Sequence, residues 1–123
     1  MIANASVTSK TVVSAPDLLW TNPSPNAGFD AQTITLTTGY SAFLVEFTVN
    51  RYQLPDTPPA TMYIPFSETQ RAVFVNISRY AAGGSEYRRI VAARDGQIQF
   101  GLTRNDETVY MIPQKIWGLK YTL

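Results

Sequence analysis

Apolar residues recur at every second position along most of this chain, and no segment holds a 3.6-residue period over three turns. The pattern therefore predicts strands throughout. The clearest run is 41–50, where Phe43, Val45, Phe47 and Val49 share one face and Glu46 and Thr48 the other. Four large β-formers at period two predict a core strand. Residues 32–37 alternate in the same way, with Ile34 and Leu36 opposite Thr33, Thr35 and Thr37. In 71–80, Val73, Val75 and Ile77 stand against Ala72, Phe74 and Asn76. Apolar residues on both faces near its start predict a central or interface strand. Residues 86–93 and 97–103 follow, the second inserting Ile98, Phe100 and Leu102. Asp95-Gly96 between them is a dipeptide that two-residue hairpin turns favour.

Proline and glycine punctuate these runs. Pro23 and Pro25 make 21–28 a loop, because proline lacks a backbone donor and restricts the residue before it. Pro55, Pro58 and Pro59 mark 51–59 as a surface loop, and 61–66 is extended, with Pro65 placing that strand at an edge or ending it. Gly39 and Gly83-Gly84 mark turns, and residues 104–107 form a polar turn. Residues 108–112 predict a short strand interrupted by Pro113, and 115–123 a terminal strand carrying Trp117, Leu119 and Tyr121. Turn signals recurring about every eight to twelve residues, with about eight or nine strands, predict an all-β antiparallel β-sandwich of jelly-roll type. Residues 1–15, rich in Ser, Thr, Ala and Val, predict an extended N-terminal arm with a short strand near 11–14. Residues 16–123 then form a single domain.

Composition narrows the function. A chain of 123 residues fits one core, and a charged fraction of 15% is low for a globular surface. Much of the surface is then Ser, Thr, Asn, Gln and Tyr, which suits exposed strands and contacts with other subunits. The net charge of +1 and the scatter of ten Lys and Arg along the chain give no footprint for nucleic acid. The one basic pair, Arg88-Arg89, points to opposite faces of a strand and is expected to be solvated. No apolar run reaches signal-peptide or membrane-spanning length, so a soluble protein without a cleaved signal or membrane insertion is expected.

The chain contains no His and no Cys. That removes Ser-His-Asp and Cys-His nucleophiles, His or Cys zinc sites and thiol redox chemistry together. No phosphate loop, dinucleotide fingerprint or calcium loop occurs, so no cofactor or metal is expected and the chain is not expected to be an enzyme. Carboxylate chemistry is the remaining catalytic route, with Glu46, Glu86 and Asp30 as candidates for a glycosidase pair. Asp95, Asp106 and Glu107 fall in turns, where such side chains bond to local backbone. Asn76-Ile77-Ser78 matches a glycosylation acceptor but lies in a strand. The aromatic candidates for surface binding are Tyr52, Tyr63, Tyr80, Tyr87 and Tyr110, each near a loop or strand end where a flat ring can stack on a sugar or fill a partner's pocket. Core packing accounts for most Phe and Trp residues.

Three segments carry a resemblance. Leu18-Leu19-Trp20-Thr21-Asn22-Pro23-Ser24-Pro25, with Phe29 and Ala31-Gln32-Thr33-Ile34 after it, resembles the opening of a domain that recurs in bacteriophage tail-fibre and minor structural proteins. Tyr40-Ser41-Ala42-Phe43-Leu44-Val45-Glu46-Phe47 resembles a strand of that domain, and Ile112-Pro113-Gln114-Lys115-Ile116-Trp117-Gly118-Leu119-Lys120 resembles its ending. The similarity spans roughly residues 18–120 and consists of packing and turn residues. It implies a virion structural protein, made in the bacterial host cytoplasm and placed at a tail tip, fibre or capsid exterior. It further implies assembly with other virion proteins, a homotrimer, and attachment to the host surface with a cell-surface glycan as candidate partner. The domain begins almost directly, which favours a short subunit attached through residues 1–15. A carbohydrate-binding module without catalysis is the alternative.

Overall fold

A computed structural model describes residues 11–12, 15–51, 54–55, 59–67, 69, 72–79, 85–101 and 110–122. Among them lie eleven strands and no α-helix. They are β1 (Thr11–Val12), β2 (Asp17–Thr21), β3 (Gln32–Thr35), β4 (Ala42–Arg51), β5 (Leu54–Pro55), β6 (Ala60–Pro65), β7 (Val73–Arg79), β8 (Ser85–Arg94), β9 (Gln97–Phe100), β10 (Met111–Leu119) and β11 (Tyr121–Thr122). One antiparallel sheet runs β2-β10-β4, with β5 and β6 both pairing β4 on its far side. The second runs β3-β9-β8-β7, and β1 pairs β11 separately.

The two large sheets enclose one apolar core, which makes the fold a β-sandwich. The period-two runs explain why. Phe43, Val45, Phe47 and Val49 of β4 are fully buried, and Ile64 and Ile116 join them from β6 and β10. Val75, Val91, Ile98 and Phe100 answer from the other sheet. Phe47 and Phe100 meet across the gap edge to face, with ring centroids 6.2 Å apart. Each such side chain contributes about 1.5–3 kcal/mol by leaving water. The Asp95-Gly96 turn joins β8 to β9 as expected, with Arg94 opposite Gln97 and Gly96 at φ 92°. The positive φ is what favours glycine here, and an added β-carbon would press on the Thr38 methyl at 2.9 Å.

Four elements differ from the sequence pattern. β2 is a strand that the pattern did not single out, because it is only five residues long and runs straight into the proline loop. The loop 51–59 contains β5, which folds back on Asn50 and Arg51. β7 is not central: it ends the four-stranded sheet and pairs β8 alone among the described residues. Pro113 does not break its strand, for β10 runs through it and ends at Leu119, leaving Tyr121 and Thr122 to pair β1.

β10 tolerates Pro113 because a β-bulge lies there. Pro113 stands opposite Phe47 and Lys115 opposite Glu46, so Gln114 is the extra residue. Proline inside a sheet is confined to such irregularities and to edges. The loop after β2 latches onto this bulge. Asn22, buried, donates from its backbone to the Gln114 carbonyl at 2.8 Å and from Nδ2 to the Pro113 carbonyl at 2.9 Å. Its Oδ1 accepts from the Ser24 backbone at 2.8 Å. Gln114 Nε2 reciprocates by donating to the Pro25 carbonyl at 3.0 Å and to Thr48 Oγ1 at 2.9 Å.

Asn22→Ala strips the buried Pro113 carbonyl of this donor. The expected loss is about 1–3 kcal/mol in urea unfolding, with the circular-dichroism spectrum of the folded state unchanged.

Candidate functional site

The outer face of the five-stranded sheet carries an unbroken apolar row. Trp117 of β10 stands opposite Leu18 of β2 on one side and Leu44 of β4 on the other, and Leu44 stands opposite Tyr63 of β6. Paired residues in an antiparallel ladder share a face, so all four side chains project together. They cannot enter the core, because their chain neighbours Phe43, Val45, Ile64 and Ile116 fill it. Leu18 remains 54% exposed and Tyr63 49%, the two large hydrophobic residues most open to solvent among those described. Trp117 and Leu44 are half-buried.

Two features shape this row. Tyr121 of β11 stacks on Tyr63, with centroids 6.4 Å apart and planes 28° from parallel. A groove of about 300 Å³ crosses the row, lined by Pro16, Leu44, Trp117 and Thr61. The next row along the same face is polar: Thr21, Lys115, Glu46 and Thr61 stand in register across the same four strands. The Lys115 and Glu46 positions are directly opposed, so charge on this face balances locally.

Of the five tyrosines expected at a surface, Tyr63 lies in the row. Tyr52 and Tyr80 are outside the described residues. Tyr87 is a correction: it is 1% exposed and belongs to the core. It shares parity with Val91 and Ala93 on β8, and that parity turns it inward. Tyr110 is half-buried and packs on the core at the start of β10. Trp117 and Tyr121, which the sequence placed in a terminal strand, complete the aromatic set instead.

The same β8 parity buries Arg89, while Arg88 is exposed. The basic pair does straddle the strand, but only one member is solvated. Arg89 Nη2 donates to the Phe29 carbonyl, and its guanidinium lies 5.2 Å from the Phe29 ring centroid. Burial lowers its pKa from 12.5 to about 10, against the opposing attraction of Asp30. Phe29 in turn packs edge to face on Trp20 and Phe100, with centroids 6.1 and 5.4 Å away. Arg89 thus ties the proline loop to the core. A second concavity of about 370 Å³, lined by Trp20, Asn22, Phe29 and Gln32 among others, lies beside this loop.

Two acidic side chains make long-range structural contacts. Asp95 does not bond locally: its carboxylate accepts from the backbone of Gly39 at 2.8 Å and of Tyr40 at 3.0 Å, more than fifty residues away in sequence. Tyr40 hydroxyl donates to Asp17 Oδ2 at 2.8 Å, and its ring covers Gly118, where any β-carbon would overlap it. Asp30 is exposed, Glu46 is half-buried on the outer face, and the Glu86 side chain, Asp106 and Glu107 lie outside the described residues. Among the described residues no three acidic groups cluster so as to hold a metal ion, and no helix is long and apolar enough to cross a membrane.

No family model, curated protein or solved structure matches this chain.

What the outer face can do chemically is therefore read from its own residues. It offers flat apolar surface, phenol hydroxyls and a neutral polar border. This is equipment for contact, and it is held rigidly by a sheet.

Burial first, then the hydrogen bond and charge of Tyr63, push the Tyr121 phenol up from 10.0 to about 12. The folded chain holds this proton more tightly than the unfolded one. Its contribution to stability is complete below pH about 10 and is lost as pH rises to about 12. Tyr40 is raised as well, chiefly by its hydrogen bond to Asp17. Melting temperature measured against alkaline pH is expected to fall across this window, and Tyr121→Phe to make the fall shallower.

Proposed function

We propose that this chain is a contact module without catalysis, a structural or attachment subunit of a bacteriophage particle at the tail tip, a fibre or the capsid exterior. The observation that carries a contact role is the apolar row Leu18-Trp117-Leu44-Tyr63, which spans four strands and leaves two large side chains about half exposed. Contiguous exposed apolar surface marks interaction sites more often than chance exposure does. The particle context rests on the resemblance. Its three segments fall on β2 with the proline loop and β3, on β4 and on β10, so they lie in both sheets around the one core.

The finer architecture belongs to the same proposal. The pairs β2/β10 and β3/β9 lie in opposite sheets, and the chain passes between sheets from β2 to β3 and back from β9 to β10. That winding supports a jelly-roll relationship. β4–β6 and β7-β8-β9 depart from it, since each remains within one sheet. A homotrimer attached through residues 1–15 would suit a subunit of cyclic particles.

The alternative, a carbohydrate-binding module outside any particle, shares the contact face and differs in context. Affinity-tagged protein expressed in the host during particle production separates the two. Sedimentation of the tag with purified particles, and a trimer mass for the isolated protein, are expected. A monomer absent from particles would overturn the virion reading and favour the alternative.

A further inference from the structure

Resting on the reading of the outer face as the contact surface, we infer that Trp117, Tyr63 and Tyr121 form a stacking platform for a neutral pyranose oligosaccharide. The ligand class follows from three properties of the face.

The first is size. Half-exposed Leu18 and Tyr63 with half-buried Leu44 and Trp117 present roughly 200–300 Å² of apolar area, given that a whole aromatic side chain has about 150–250 Å² to bury. A stable protein interface takes about 800 Å² from each partner. The row by itself falls short of the apolar part of such an interface, whereas a groove of about 300 Å³ is within the range for a small ligand.

The second is charge. The polar row beside the platform holds one cation and one anion, Lys115 and Glu46, at directly opposed positions. A face balanced in this way has no complement to offer a sulfated or phosphorylated polymer, an anionic membrane or a nucleic acid. It fits an uncharged ligand.

The third is the pattern of surfaces. A pyranose ring has an apolar face of C–H groups and a rim of hydroxyls. Trp117 and the stacked Tyr63–Tyr121 pair offer planes for the first. Thr61 at the groove wall, with Thr21, Glu46 and Lys115 in its row, offers donors and acceptors for the second. Trp117 and Tyr63 are two strand spacings apart, about 10 Å, so the platform accommodates more than one sugar ring. The rings sit on paired strands, so little ordering is needed when ligand arrives.

The test is titration of the full chain with cellohexaose, maltohexaose and chitohexaose, followed by the change in tryptophan fluorescence and by calorimetry. Saturable binding of at least one of them is expected, weakened about tenfold or more by Trp117→Ala and by Tyr63→Ala. Both variants are expected to keep the wild-type circular-dichroism spectrum, and Tyr63→Phe, which retains the ring, to keep most of the affinity. Absence of binding by all three sugars, or binding indifferent to both alanine variants, would overturn the inference. So would a mass that doubles with concentration and reverts in Leu18→Ser, which would assign the face to a second copy. Co-sedimentation of Trp117→Ala with particles distinguishes the two layers. Normal incorporation without sugar binding by the wild type removes the saccharide and leaves the virion reading. Sugar binding by a chain that never enters particles does the reverse.

Discussion

The one-residue bulge at Gln114 decides which face of β10 meets the core. Before it, Met111 and Pro113 stand opposite Val49 and Phe47; after it, Ile116 and Gly118 stand opposite Val45 and Phe43. Without the extra residue the second half of the strand would reverse. Trp117 would then oppose Phe43 inside the sandwich and Ile116 would be turned to solvent, since a one-residue slip exchanges the two faces of a strand. β10 lies between β2 and β4, so its register is felt by both neighbours. The filled core on the inner face and the placing of Trp117 beside Leu44 on the outer face follow from this irregularity, and a second shift, with Leu19 of β2 unpaired, brings Leu18 opposite Trp117.

Long-range polar contacts hold the rest of the chain to that frame. Asn22 and Gln114 close the proline loop onto the bulge, Arg89 holds Phe29 from below, and Asp95 clamps Gly39 and Tyr40 from the opposite sheet. Each joins segments distant in sequence, which is where a small chain without disulfides gains most from fixing a contact. Arg89 is the costly member, because its charge is held away from water. Its orientation over an aromatic ring and its bond to a backbone carbonyl offset part of that cost. These polar contacts, buried and exposed alike, serve architecture.

How much of this was legible in the sequence follows the range of each interaction. The faces of β3 and β4 and the Asp95-Gly96 turn depend on neighbours within a few residues, and alternation alone placed them. Alternation also held the clue to Tyr87 and Arg89, which share parity with Val91 and Ala93. It was missed because a tyrosine near a turn and an arginine in a pair look solvent-seeking when taken singly. Trp117 was not legible. Pro113 looks like a stop, and only the pairing of Gln114 with nothing on β4 shows that parity changes there. The reach of Asp95 to Tyr40 likewise depends on how two sheets meet. Of the candidate site, Tyr63 could be named from sequence, whereas its companions required the register of four strands.

Prolines guard both edges of the five-stranded sheet. β2 is bracketed by Pro16 and Pro23, and β6 by Pro59 and its own last residue Pro65. Each lacks the donor that an added strand would need, so both outer strands resist extension of the sheet. No proline flanks β3 or β7, the two ends of the other sheet. A strand added to this domain would therefore pair more readily at the β3 or β7 edge of the four-stranded sheet than at β2 or β6.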